Sequence, residues 1–382
     1  MRYSYHLLIL LFVVQTSVSQ SVVRNVGNLK LHQKGSLGFH TDLINDGSFD
    51  RNLGLIGFYK ADDRLLISGA FSPTFHNFEV AVEDHLYLEV PVNIENSLHF
   101  IYGDIKSERS SKSIYSKFNH KSYYQGESDL TKIDGYVTVE GQKEFRFPVG
   151  QGENIKPLHI KFIDDNFLAR CGYFMENPDF PHSLASDMDT SKRDPSLSAI
   201  SSKEFWLLST SGRIQLTLSW DSESNISESA TEIQSIVVAG WSKHEKMWVN
   251  LGNASFQGDL AKGEVTSNIF NANDYEYFTH GFLFNSKSNE PGNYALSPNG
   301  DGINDFFTLA IIDQSPNNDL KVYNRAGQLV YEKSNYKDEF RGMGNRNIFR
   351  NKNSLPEGVY FYLLELKDIN KKYQGYFYLV TD

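Results

Sequence analysis

Four side chains with oxygen donors fall close together late in the chain: Asn299, Asp301, Asn304 and Asp305. Gly300 and Gly302 stand between them and leave the backbone free to curl. Carboxylate, amide and carbonyl oxygens would then converge as a hard cation such as Ca²⁺ requires. The spacing is not that of the twelve-residue EF-hand loop, and the bidentate glutamate that closes such a loop is missing. The competing reading is an Asx-type turn, in which these side chains bond their own backbone. A Ca²⁺ site at this loop is an expectation to be weighed against that turn.

Other chemistry finds less support. The 11 histidines include no His-x-His or His-x-x-x-His pair; the closest are His32 with His40 and His76 with His85. Zinc would have to be assembled entirely by the fold. Cys171 has Arg170 beside it, which lowers thiol pKa values, yet Ala169 to Phe174 reads as an apolar strand that would bury it. No Gly-x-Ser-x-Gly elbow and no phosphate-cradling Gly-Lys-Ser/Thr loop occurs. Asp62-Asp63 and Asp164-Asp165 are adjacent acids, which on a strand point to opposite faces and fit solvated turns better than a glycosidase pair. Trp206, Trp220, Trp241 and Trp248 could stack on sugars, but their strand settings place them in a core. Asn225 and Asn253 match the N-glycan acceptor pattern. No catalytic residues are assigned, and the chain reads as a non-enzyme.

The elements that must position these groups are strands. The chain has 382 residues with 27 Phe and 21 Tyr, and turn residues recur along its length. That composition favours short, half-buried strands over long amphipathic helices. A net charge of −10 argues against nucleic acid or an anionic membrane as partner. One cysteine excludes an intrachain disulfide. No run beyond the N-terminus has the apolar length of a transmembrane helix.

Met1 to Ser19 has Arg2, an apolar run from Leu7 to Val14, and the small residues Ser17 and Ser19, the anatomy of a secretory signal peptide. Residues 20–128 repeat short apolar alternations and Gly, Asn or Asp turns, clearest in Phe78 to Val82, Leu86 to Val90, Val92 to Ile94 and Leu98 to Tyr102. Three short strands in about two dozen residues fit one coil of a β-solenoid, and an antiparallel sandwich of hairpins would show the same alternation. The solenoid is preferred. From Lys106 to Ser128 the alternation lapses into a polar stretch that reads as a loop or linker. Residues 129–285 read as a second domain, a β-sandwich. In it, Ile133 to Val139 is expected to turn at Glu140–Lys143 into a hairpin with Glu144 to Val149. Pro178 to Ser202 reads as a surface excursion, and residues 286–295 as a linker. The whole is an all-β, multi-domain chain.

Residues 296–382 form the most distinctive segment. The opening Ser297-Pro298-Asn299-Gly300-Asp301-Gly302-Ile303-Asn304-Asp305 is followed by Asn324-Arg325-Ala326-Gly327-Gln328, then by Leu355-Pro356-Glu357-Gly358-Val359-Tyr360. This order of motifs resembles the gliding-motility-associated C-terminal domain, which carries Bacteroidetes proteins through the type IX secretion system. The resemblance implies an immunoglobulin-like sandwich, recognition by the type IX machinery, and a surface-attached or released product. It assigns the sorting motif to Pro298, Asn299, Gly300, Asp301, Gly302, Asn304, Asp305, Asn324, Arg325, Gly327, Leu355, Pro356, Gly358 and Tyr360. Ala326 departs from the aromatic usual at its position, and Phe340-Arg341-Gly342 from the usual Trp-x-Gly. Independently of the resemblance, Gly302 and Gly358 suit turns, and Tyr360, Tyr362 and Leu364 alternate onto one face. The stretch from Asp134 to Ile160, followed by Glu204 to Ser209 and Val237 to Gly252, also resembles the bodies of large Bacteroidetes surface proteins.

The expectation is an exported, non-catalytic adhesin or envelope component that meets glycans or surface proteins. The alternative is a secreted polysaccharide-degrading enzyme, which needs acids and aromatics gathered in one groove.

Overall fold

The computed structural model describes residues 22–185, 187–284, 294–300, 302–346 and 354–381. The expected signal peptide, most of the expected linker and Asp301 lie outside the described residues. Two compact units divide the chain, one ending at Ile133 and the other starting at Asp134.

In the first unit the chain alternates between two parallel sheets. One contains Val22–Asn25, Asp42–Asn45, Leu65–Ser68, Leu86–Leu88 and Ile105–Ser107. The other contains Ser36–Phe39, Leu55–Lys60, Thr74–Val82, Val92–Tyr102 and Tyr115–Phe118. Each circuit of the chain therefore adds one strand to each sheet, which is a β-solenoid and not a stack of hairpins. Leu65 aligns with Leu86 and Leu86 with Ile105, so successive coils take 21 and 19 residues.

Like residues stack on like because the coils are in register. Phe39 stacks on Phe58 at 4.9 Å between ring centroids, and Phe58 meets Phe78 edge-on at 6.0 Å. The corners carry buried asparagines that satisfy backbone groups of neighbouring coils. Asn45 Nδ2 donates to the Phe71 carbonyl (2.9 Å), and Asn52 accepts from Leu31 N–H (2.8 Å) while donating to the Thr74 carbonyl (2.8 Å). Gly103 holds φ +77°, and a Cβ there would lie 1.9 Å from the Val82 carbonyl oxygen. The polar stretch expected to be a loop from Lys106 to Ser128 instead carries two more strands, Tyr115–Phe118 and Tyr123–Gln125, both parallel to Val92–Tyr102. Its inward positions, Ser116 and Phe118, are too few to register as alternation.

The second unit begins with two antiparallel sheets. One runs Tyr136–Glu140, Leu168–Phe174, Phe205–Ser209, Tyr275–Leu283, Ile236–Ser242, Trp248–Asn250. The other runs Glu144–Phe147, Leu158–Phe162, Arg213–Trp220, Gly263–Thr266, Ser255–Gly258. Glu140–Lys143 is therefore no hairpin: it carries the chain from one sheet to the other. Tyr136–Glu140 is buried on both faces up to Val139, and Glu144–Phe147 alternates between exposed and buried. The two strands have different sheet environments, which a shared turn signal does not reveal.

The last sheet has the order Tyr294–Leu296, Lys371–Leu379, Gly358–Leu366, Asn318–Tyr323, Leu329–Ser334. The first pairing is parallel and the others antiparallel. Tyr360, Tyr362 and Leu364 face inward against Phe307, Phe340 and Phe377. The 3₁₀ turn Ala310–Gln314 contributes Ile311 and Ile312 to the same core.

Candidate functional site

The opening loop of the last sheet is organised around one carboxylate. Asp305, 8% exposed, accepts the Gly300 N–H at Oδ1 (2.6 Å) and the Gly302 N–H at Oδ2 (2.9 Å). These two donors hold its carboxyl below the usual range. Gly300 and Gly302 both adopt positive φ, +85° and +87°, and so aim their amides inward. Asn304 is also left-handed (φ +55°), and its carbonyl accepts Ser297 N–H. Asn299 and Asn304 are exposed. With Asp301 outside the described residues, the four expected cation ligands are not seen together; Asp305 serves the turn. Beside the loop is a cleft of about 480 Å³, bordered by Pro298, Asn299, Asp305, Arg341, Met343 and Val380. The Arg341 guanidinium sits 4.0 Å above the Phe306 ring.

The other motif residues close turns of the same sheet. Asn324 Oδ1 accepts N–H groups from Ala326 (3.0 Å) and Gln328 (2.9 Å), and its amide donates to Gln328 Oε1 (2.8 Å). Gly327 completes this turn at φ +78°, leaving Arg325 exposed at the tip. Leu355 is buried, Gly358 takes φ +149°, and the Tyr360 hydroxyl donates to the Pro356 carbonyl (2.8 Å). Phe340, where an indole was usual, packs 4.6 Å from Tyr331 and 5.8 Å from Phe377.

The remaining candidates resolve by burial and pairing. All four tryptophans are core residues, none more than 8% exposed. Cys171 is buried, and desolvation pushes its thiol far up, which disfavours a nucleophilic thiolate. Asp63 pairs with Lys60 and Asp164 with Arg213 in exposed turns.

One cluster escaped the sequence. In the sandwich, Lys156 follows Asn154–Ile155, Glu204 precedes Phe205–Ser209, and Asp221 follows Arg213–Trp220. The Lys156 ammonium, 1% exposed, lies 2.5 Å from Asp221 Oδ1 and 3.2 Å from Glu204 Oε2, and donates to Ser224 Oγ (2.6 Å). The Tyr173 hydroxyl donates to Glu204 Oε2 (2.6 Å). His280 lies 3.5 Å from Glu204 Oε1 with its ring edge-on to Trp206 and Trp220. Among the described residues neither His280 nitrogen nor Glu204 Oε1 has a hydrogen-bond partner. Burial, then the nearby Lys156 charge, bring His280 down to about 3. The only sequence signal was a polar residue set against each apolar strand run, as in Tyr277-Phe278-Thr279-His280-Gly281-Phe282.

Residues 289–379 match the family model of the CHU_C type IX secretion signal domain. The match contains every turn motif described above, and it indicates export out of the cell, to its surface or the medium, through the type IX machinery. No curated protein and no solved structure matches the chain. No helix among the described residues is long and apolar enough to cross a membrane.

Proposed function

We propose that the solenoid and sandwich form a non-catalytic adhesin or envelope component, delivered by the C-terminal signal domain. One observation carries this reading. The adjacent acids Asp62-Asp63 and Asp164-Asp165 fall in surface turns, where Asp63 pairs with Lys60 and Asp164 with Arg213, and the acids that do converge, Glu204 (2% exposed) and Asp221 (22%), are both engaged by the buried Lys156. The tryptophans that could have floored a sugar groove are also used up as core. On the solenoid, one lateral row crosses successive strands. Gly38, Gly57, Glu79 and His99 align on successive strands. Tyr59 folds over the two glycines to reach Glu79 with its hydroxyl at 2.6 Å. The Tyr59, Glu79 and His99 side chains gathered there offer polar groups to glycans or a surface protein.

The purified chain would be presented to a panel of polysaccharides, with retention and release of reducing ends both measured. Retention without release supports the adhesin. Turnover of any polysaccharide would sink it and favour the degrading enzyme. The delivery role is checked separately by fractionating cells that express the chain with and without residues 295–382.

A further inference from the structure

We infer that the sandwich carries an intramolecular amide bond between Lys156 Nζ and Asp221 Cγ, formed autocatalytically with Glu204 as proton relay. Three features of the cluster point to a reaction centre and not to a simple ion pair. First, the amine and both carboxylates are held together where water is scarce: Lys156 and Glu204 are 1% and 2% exposed, Asp221 22%. Taking such charges out of water is costly, and condensation removes two of them. Second, the Lys156 ammonium bonds directly to Asp221 Oδ1, which places the nucleophile beside the acyl group it would join. Third, the Asp221 carboxyl is already polarised as an acyl acceptor must be. The Glu223 N–H donates to the same Oδ1 (2.9 Å) that would carry the negative charge of a tetrahedral intermediate.

Roles divide by environment. Glu204 Oε2 faces the Lys156 ammonium at 3.2 Å and accepts the Tyr173 hydroxyl, while Oε1 lies 3.5 Å from His280 Nδ1. Asp221, the more exposed carboxyl, caps the short turn Ser222–Ser224 and gives departing water a way out. Glu204 takes a proton from the Lys156 ammonium and passes it to Oδ2 of Asp221. The freed amine attacks Cγ; the N–C bond forms and the carbonyl pair moves onto Oδ1. A second proton travels by the same relay from nitrogen to Oδ2. The Cγ–Oδ2 bond then breaks, Oδ2 leaves as water, and the carbonyl re-forms. One amide and one water result, nothing is oxidised or reduced, and Glu204 ends as it began.

A second buried lysine–aspartate pair shows what the ordinary arrangement looks like. Lys132 Nζ sits evenly between both oxygens of Asp104, at 3.1 and 3.2 Å, and its third partner is the Asp129 carbonyl in place of a second carboxylate. The further neighbour of that pair is His85, whose Nδ1 lies 3.8 Å from Asp104 Oδ2. For an exported chain with a single, buried cysteine, an amide across residues 156 and 221 supplies the covalent closure that a disulfide cannot.

The test is the intact mass of the purified full chain under denaturing conditions, followed by a protease digest. The expected chain is lighter by one water and yields a branched peptide joining the segments of Lys156 and Asp221. Lys156→Arg and Glu204→Gln are each expected to restore the full mass, and Lys156→Arg to melt roughly 10 °C lower through loss of the closed loop. A wild-type mass equal to the whole sequence overturns the proposal without recourse to any variant. So does a branch through Glu204, or loss of water without a branch, as an aspartyl succinimide would give. A folded Glu204→Gln chain that still loses water removes the relay.

Discussion

Lys132 and Asp104 form a bidentate ion pair that is almost wholly buried, 1% and 2% exposed. The Lys132 backbone N–H donates to the same carboxylate (3.1 Å) and its carbonyl accepts Ile105 N–H, so this pair pins residue 132 to the strand Ile105–Ser107. Asp104→Ala strands a buried ammonium and is expected to cost about 3–5 kcal/mol. The double variant Asp104→Leu with Lys132→Met should recover most of that loss. Urea unfolding followed by far-UV circular dichroism distinguishes the two. Equal losses in both would mean that the carboxylate's backbone bond, and not the charge pair, matters.

The phenylalanine stack predicts a steep dependence on side-chain volume. Phe58 is fully buried against Phe39 and Phe78. Phe58→Ala should destabilise the solenoid by about 3–5 kcal/mol, whereas Phe58→Leu should cost less than about 1.5 kcal/mol. The same urea titration measures both.

His280 sets a pH dependence. Its folded value near 3 lies below the unfolded value of about 6.5, so the unfolded chain binds the extra proton between them. Stability is therefore complete above about pH 6.5 and falls by about 1.4 kcal/mol per unit as pH drops toward 3. His159, also held down mainly by burial, acts in the same direction. Melting curves from pH 7 to 4.5 should show His280→Leu losing the larger part of this slope. An unchanged slope would place the titrating group elsewhere.

In the signal domain, turn chemistry and recognition are separable. Asn324→Ala removes two accepted amide bonds and should lower stability by about 1–2 kcal/mol. Arg325→Ala touches only an exposed tip and should leave the melting temperature alone. If the machinery reads that tip, the Arg325 variant is retained in the cell while fully folded, which fractionation alongside thermal melting would reveal.

Calcium at the Asn299–Asp305 loop is testable in the same way. Both Asp305 oxygens already accept backbone amides, so the expected melting temperature is the same in EDTA and in calcium. A rise with calcium that disappears in Asp305→Asn would place an ion there. Asp305→Asn should in either case lower the melting temperature, since an amide cannot accept from both glycines.

How much of this was legible varied with the range of the interaction. The signal domain's motifs were readable because each is a local turn: Asn324 serves Ala326 and Gln328, and Asp305 serves Gly300 and Gly302, all within five residues. The strands at Thr74–Val82 and Val92–Tyr102 were visible in their alternation, but alternation is identical in parallel coils and antiparallel hairpins. Only partners such as Leu65 with Leu86 decide the matter. Lys156, Glu204, Asp221 and His280 come from four separate elements that the topology brings together. Lys156, Glu204 and Asp221 looked like ordinary strand-flanking polar residues and His280 like a polar residue within a strand, and no local pattern records which ends of two sheets will meet.

The placement of the tryptophans also has a practical consequence. Trp206, Trp220, Trp241 and Trp248 are the chain's entire complement, and all belong to the sandwich core. Intrinsic indole emission is thus a private reporter for that one domain. The solenoid and the signal domain are spectroscopically silent at the red edge of excitation, where tyrosine does not absorb. Denaturation watched by emission and by ellipticity together would therefore resolve the sandwich from its two neighbours without a label, and would show directly whether the three melt as one body or in turn.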